Sequence, residues 1–196
     1  PTHVVGLSMG GFIAMRLAFR HPQTVRSLVL LDTNASPEDP ERVQRNEAMA
    51  QVVEGGDLEA VLPALPPIFL ADDYIVEHRA AVDDWLARVA AADPHGAVLA
   101  LRGFNTREDL VPRLGEIGVP TLVIHGREDA AIPVEEAERI AAGIAGARLE
   151  LVSGGHQSNV DRAEETSRLI REFLVSIESG AAPMTEDRIE KRIADQ

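Results

Sequence analysis

The 196-residue sequence has no cysteine, which excludes disulfides and thiolate metal sites and suits a reducing, cytoplasmic setting. It is poor in positive charge. Nineteen Lys and Arg against 32 Asp and Glu leave a formal net charge of −13, a field that repels nucleic-acid phosphates and anionic membrane surfaces. No apolar run approaches the ~20 residues a helix needs to cross a bilayer. No charged leader with an apolar stretch stands ahead of Thr2, so these residues do not read as a signal peptide. The six histidines show no paired metal-ligand spacing, and no metal or organic cofactor is expected. What remains is a chain with 45% hydrophobic residues, long enough to bury a full core and to act on a small molecule without nucleic acid or membrane as partner. Its oligomeric state is not readable from these features.

The chain alternates short apolar runs with helical patterns. "THVVGL" reads as a buried strand, and "MGGFIAMRLAFRHP" as a helix with Ile13, Ala14, Leu17 and Ala18 at helical spacing, ended by Pro22. "VRSLVLLD" reads as a second buried strand. Strand, helix, strand of this kind predicts an α/β fold with a parallel sheet and crossover helices. Residues 36–114 break the rhythm with a helical insert. A helix starts at the prolines and acids of "SPEDPE" and stops at Gly55-Gly56, and short proline-broken pieces follow. "DDYIVEHRAAVDDWLARVAAADP" then reads as one helix carrying Trp85, and a last helix covers "HGAVLALRGF". Strand and helix alternate again from "VPTLVIHG" through "RLELVSG" to the amphipathic "RAEETSRLIREFLVSIES". The expected organisation is a first core part over 1–35, a helical cap over 36–114, a second core part over 115–178 and a charged tail over 179–196.

Chemistry enters at "VVGLSMGG". Gly6-Leu7-Ser8-Met9-Gly10 matches G-x-S-x-G between a strand and a helix, a sharp turn in which the serine is strained and residues two positions either side must lack side chains. Such a turn lifts the Ser8 hydroxyl above the carboxyl edge of the sheet and leaves the Met9 N–H at a helix N-terminus, aimed at a developing oxyanion. A serine hydroxyl needs a base. "VIHGREDAAIP" places Asp129 in the loop after one predicted strand, and "LVSGGHQSN" places His156 in the loop after the next, on the same sheet edge. Asp32, at the end of another strand, is the rival acid.

Residues 2–176, through "GLSMGG", "HGREDAAIP" and "GGHQSN" in register, resemble the second part of an α/β-hydrolase. "LVLLDTNASPEDP" and the cap length resemble the enol-lactonase, carboxylesterase and C–C-bond hydrolase branch. A serine in the elbow sets the chain apart from the aspartate-based dehalogenases and epoxide hydrolases. The resemblance implies a serine hydrolase with Ser8, His156 and Asp129 as its triad and Met9 in the oxyanion hole. It also implies a chain that starts at the elbow strand of a longer fold, whose earlier loop supplies the second oxyanion donor and whose normally central elbow strand becomes an exposed edge here. Trp85 and Phe104 are candidates for a substrate pocket, and Arg88 and Arg102 for a substrate carboxylate. The bland alternative for these four is helix core or a solvated helix face. The competing functional class is a ligand-binding protein on the same scaffold, with slow or no turnover, or an inert piece.

Overall fold

The computed structural model describes residues 1–180. Strand β1 (Thr2–Leu7) leads through Ser8 into α1 (Met9–Arg20) and then β2 (Val25–Leu31). The cap follows as α2 (Pro40–Glu54), the short α3 (Leu58–Val61) and α4 (Pro66–Phe69), then α5 (Asp72–Glu77), α6 (Arg79–Ala90) and α7 (Pro94–Phe104). The sheet resumes with β3 (Thr121–Gly126), α8 (Val134–Gly143) and β4 (Arg148–Val152), and the described chain ends with α9 (Ser158–Asp161) and α10 (Ala163–Glu178). The four strands pair in parallel in the order β1-β2-β3-β4. Every link between strands therefore crosses over, which brings all the strand C-termini to one edge. Among the described residues no helix is long and apolar enough to cross a membrane. The tail read over 179–196 lies, from residue 181 onward, outside the described residues.

β2 shows why a continuous apolar run marks a doubly covered strand. Leu28 and Leu30 pack with Phe12, Met15 and Ile140 from α1 and α8, while Val29 and Leu31 pack with Leu169 and Phe173 of α10 on the opposite face. Neither face is wet, so no polar alternation is needed. The cap has a small core of its own, with Ala50 and Val53 of α2 against Val98 of α7.

β1 is the exposed edge that a chain starting at the elbow strand implies: Val5 is 48% accessible, and among the described residues the strand pairs only with β2. Two local expectations change. In α1 the buried stripe is Gly11, Phe12, Ala14, Met15 and Ala18, and Ile13 faces outward. The single helix read over residues 72–92 is two, because His78 leaves helical geometry (φ −121°, ψ 43°). Its amide still bonds Tyr74 O, and its ring lies 4.5 Å from that of Tyr74. This break reorients α6, which carries Trp85.

Candidate active site

Ser8 sits at φ 51°, ψ −117°, a strained conformation for a residue with a Cβ, and the surroundings over-determine it. Its N–H donates to Leu31 O at 2.9 Å, and its carbonyl accepts from Gly11 N–H at 2.9 Å and from the Thr33 hydroxyl at 2.7 Å. A methyl group on Gly6 would lie 2.3 Å from Gly10 O, so Gly6 is required. Gly10 itself does not meet the sequence expectation: among the described residues nothing lies within 4 Å of a Cβ at this position. The second demanding glycine is Gly11, where a Cβ would lie 2.6 Å from Thr33 Cγ2. It is the backbone of Gly10 that comes close to Gly6; its own Cβ direction points away.

The elbow, the loop after β3 and the loop after β4 converge. Ser8 Oγ lies 2.8 Å from His156 Nε2, and His156 Nδ1 lies 2.8 Å from Asp129 Oδ2. His156 is 3% accessible and the Asp129 carboxylate is fully covered, so this chain of bonds runs in a region of low effective dielectric where an unpaired charge is costly. Asp129 Oδ1 accepts from Ala131 N–H and Ile132 N–H at 2.8 Å each, which leaves Oδ2 for the imidazole. With Nδ1–H given to that carboxylate, Nε2 carries the free lone pair toward the hydroxyl, the arrangement a general base needs. Met9, first in α1, has an amide with no carbonyl one turn earlier to bond, and so has a donor free at the elbow.

The two arms rest on each other without intervening side chains. A methyl on Gly126 would lie 2.2 Å from Gly154 O and 2.3 Å from Gly155 O. Arg127 N–H and Glu128 N–H donate to Val152 O and Gly154 O at 2.8 and 2.9 Å. Glycines at 126, 154 and 155 thus let the acid loop and the histidine loop touch backbone to backbone.

Asp32, the rival acid, lies elsewhere in the network. It is buried, at φ 45°, and accepts from Gly126 N–H at 2.9 Å and from Ser158 N–H and Oγ–H at 3.1 and 2.7 Å. Burial pushes its pKa up to about 6, against the opposing hydrogen bonds from Ser158 and Gly126. Asp32, His125 and Asp129 could each offer a metal a ligand atom, within 4.8 Å of one another. The carboxylates are already committed to the bonds above, and His125 Nε2–H donates to Ile132 O at 3.0 Å.

The remaining candidates scatter. Trp85 reaches the histidine loop, its Nε1–H donating to Gln157 Oε1 at 3.1 Å. Phe104 stacks on the Arg107 guanidinium, 5.3 Å from its ring centre, and Phe12 lies on the same cation at 5.0 Å. Arg107 is buried and paired with Glu38, and it donates to Asn34 at 2.9 Å. Arg102 is held by Glu47 and Glu54, and Arg88 by Asp84 on an exposed face. His3 ties Ser27 to Glu178, His125 is buried and His21 is exposed. Sequence reasoning missed Thr33, Gln157 and Asp161. Gln157 and Ser158 were within reach as neighbours of His156, whereas nothing in the sequence marks Asp161.

The α/β-hydrolase family model matches residues 1–169. A 2-hydroxy-6-oxononadienedioate/2-hydroxy-6-oxononatrienedioate hydrolase of Paraburkholderia xenovorans is 31% identical over 185 residues. That match takes in 88% of this chain and 61% of the relative, so the chain spans about three-fifths of that protein's length. Among solved structures, a thermophilic esterase from Thermogutta terrifontis superposes with a TM-score of 0.83 at 27% identity, over 89% of this chain and 65% of that one. The enol-lactonase of Burkholderia xenovorans LB400 gives 0.81 at 28% identity, over 87% and 64%. With its parallel sheet, helical cap and strand-to-helix elbow, the chain belongs to the α/β-hydrolase family.

Proposed function

We propose that the chain carries the catalytic triad of a serine hydrolase acting on a small ester, lactone or related carbonyl compound. The observation that carries this reading is the unbroken chain of bonds from Ser8 Oγ through His156 to Asp129, at 2.8 Å each. Ser8 Oγ attacks the carbonyl carbon as His156 Nε2 takes its proton. The oxyanion is met by Met9 N–H, and the imidazolium is stabilised by Asp129. The imidazolium then gives that proton to the leaving oxygen as its bond to carbon breaks, and Ser8 is left acylated. Water, deprotonated by the same nitrogen, cleaves the acyl-enzyme and returns Ser8 to its starting state. No step needs a metal or an organic cofactor. The absence of cysteine supports work in the cytoplasm.

The test is hydrolysis of a short-chain aryl ester, with a burst of phenol to reveal the acyl-enzyme. Ser8→Ala is expected to abolish turnover, with a loss on the order of 10⁶-fold where chemistry is limiting. Equal turnover in this variant would end the reading. Tight binding of the ester without multiple turnover would favour the ligand-binding alternative.

A further inference from the structure

The histidine loop is bound more extensively to the cap than its role at the sheet edge requires. Gln157, next to His156, donates its N–H to Phe69 O at 2.9 Å and accepts from Trp85 Nε1–H at 3.1 Å. Asp161 is buried and uses a single oxygen, Oδ2, to accept from Ala71 N–H at 2.9 Å and from Gly155 N–H at 2.8 Å. One carboxylate thus joins the cap backbone to the residue before His156. The fit leaves no slack, since a methyl on Gly155 would lie 2.7 Å from the Leu70 carbonyl carbon. Finally, the Phe69 ring packs against the imidazole, with centres 5.4 Å apart and planes inclined by 60°, and against Trp85 at 5.9 Å.

We propose that the cap segment Phe69–Ala71, together with Trp85, positions His156 by holding both of its neighbours through Gln157 and Asp161. This rests on the reading of Ser8, His156 and Asp129 as a triad. The two polar bonds of His156 fix its nitrogens, at Ser8 and at Asp129, but leave the ring free to tilt about the line between them. The contact with Phe69 on the flank of the ring and the anchored amides on either side of it remove that freedom. A displacement of about 1 Å at a reacting group costs on the order of 10²-fold in rate, so small shifts of the cap register at Ser8. Asp161, Gln157, Phe69 and Trp85 are positioning residues in this scheme; none of them needs to touch substrate. A cap that moves on binding substrate would change the aim of the base as it closes.

The experiment compares Trp85→Phe, Asp161→Ala and Asp161→Asn with the unaltered protein by two readouts. One is the set of ¹⁵N shifts of the His156 ring, which report its tautomer and hydrogen bonds whether or not the protein turns over. The other is kcat and KM for a short-chain aryl ester. Trp85→Phe keeps the aromatic packing and removes one donor; the expected result is displaced ring shifts and a kcat lowered by about tenfold, with KM within about twofold. Asp161→Ala is expected to lower kcat by about 10²-fold, and Asp161→Asn, whose amide oxygen can accept both N–H groups, to restore most of it. If Asp161→Ala does not fold, Trp85→Phe decides alone. Unaltered ring shifts and kcat in a folded Trp85→Phe would overturn the proposal. Ring shifts that respond in a protein with no esterase activity would sustain the positioning and overturn the triad reading instead.

Discussion

Asp32 holds Ser158 twice, through the amide at 3.1 Å and the hydroxyl at 2.7 Å, only two residues beyond His156. The same carboxylate accepts from Gly126 N–H in the acid arm. It therefore ties the two arms together while bonding neither Ser8 nor His156, and this linkage has a signature in pH.

Burial raises the Asp32 pKa from 3.8 to about 6 in the folded chain, so between those values the folded state binds more protons than the unfolded one. The stability contributed by this group is full below the unfolded value and is lost as pH rises through about 6. Asp32→Asn removes the titration. The difference in stability, unaltered protein minus variant, is expected to fall between pH 4 and pH 7 and to level off above, whatever its absolute offset. Denaturant melts at several pH values measure it; a difference that rises with pH contradicts the assignment.

Asp129→Asn keeps an acceptor for Ala131 N–H and Ile132 N–H but cannot accept from His156 Nδ1–H with its amide nitrogen facing the ring. The imidazole is then driven to the wrong tautomer, and kcat for an aryl ester is expected to fall by about 10⁴-fold. Far-ultraviolet circular dichroism should be unchanged. A loss below tenfold would return the role of acid to another residue.

The glycines of the elbow separate by thermal melts. Gly6→Ala forces a methyl to 2.3 Å from a backbone oxygen, and Gly11→Ala drives into Thr33, whose hydroxyl holds Ser8 O. Each is expected to cost about 2 kcal/mol or more. Gly10→Ala meets nothing and, on a helix, should be neutral or stabilising by about 0.5 kcal/mol. Similar losses at positions 10 and 6 would refute the elbow geometry.

Arg107 and Arg102 offer a contrast in ion-pair burial. Arg107 and Glu38 are covered at the root of the cap, and Arg107→Ala takes from the buried carboxylate one of its two cations while Arg42 Nε stays at 2.8 Å, so the expected cost lies below the ~3–5 kcal/mol of a buried pair broken outright. Arg102 pairs with Glu47 and Glu54 at the surface, where solvent screens the charges, and Arg102→Ala should cost less than Arg107→Ala. Urea titrations of the two variants should rank them in that order.

The features legible in the sequence are those that rest on local rules. G-x-S-x-G demands a turn, a four-residue apolar run such as Leu28–Leu31 demands cover on both sides, and loops following parallel strands must share an edge. The same reasoning singles out Ser8, His156 and Asp129, and their side chains lie in a chain of 2.8 Å bonds. The misjudged features depend on packing partners that local patterns do not encode. Ile13 has the spacing of a core residue but faces away from the sheet. Gly10 and Gly11 look interchangeable in the sequence, and only the position of Thr33, 22 residues later, distinguishes them. Asp161 is an ordinary helix-end acid until Ala71 and Gly155 present their amides to it from two directions.

The direct seating of Gly126 on Gly154 and Gly155 has an engineering consequence. With main chain lying on main chain, neither loop can be lengthened, swapped or relaxed without prising up the other. Anyone grafting this constellation onto a different scaffold must transplant the pair as one indivisible block.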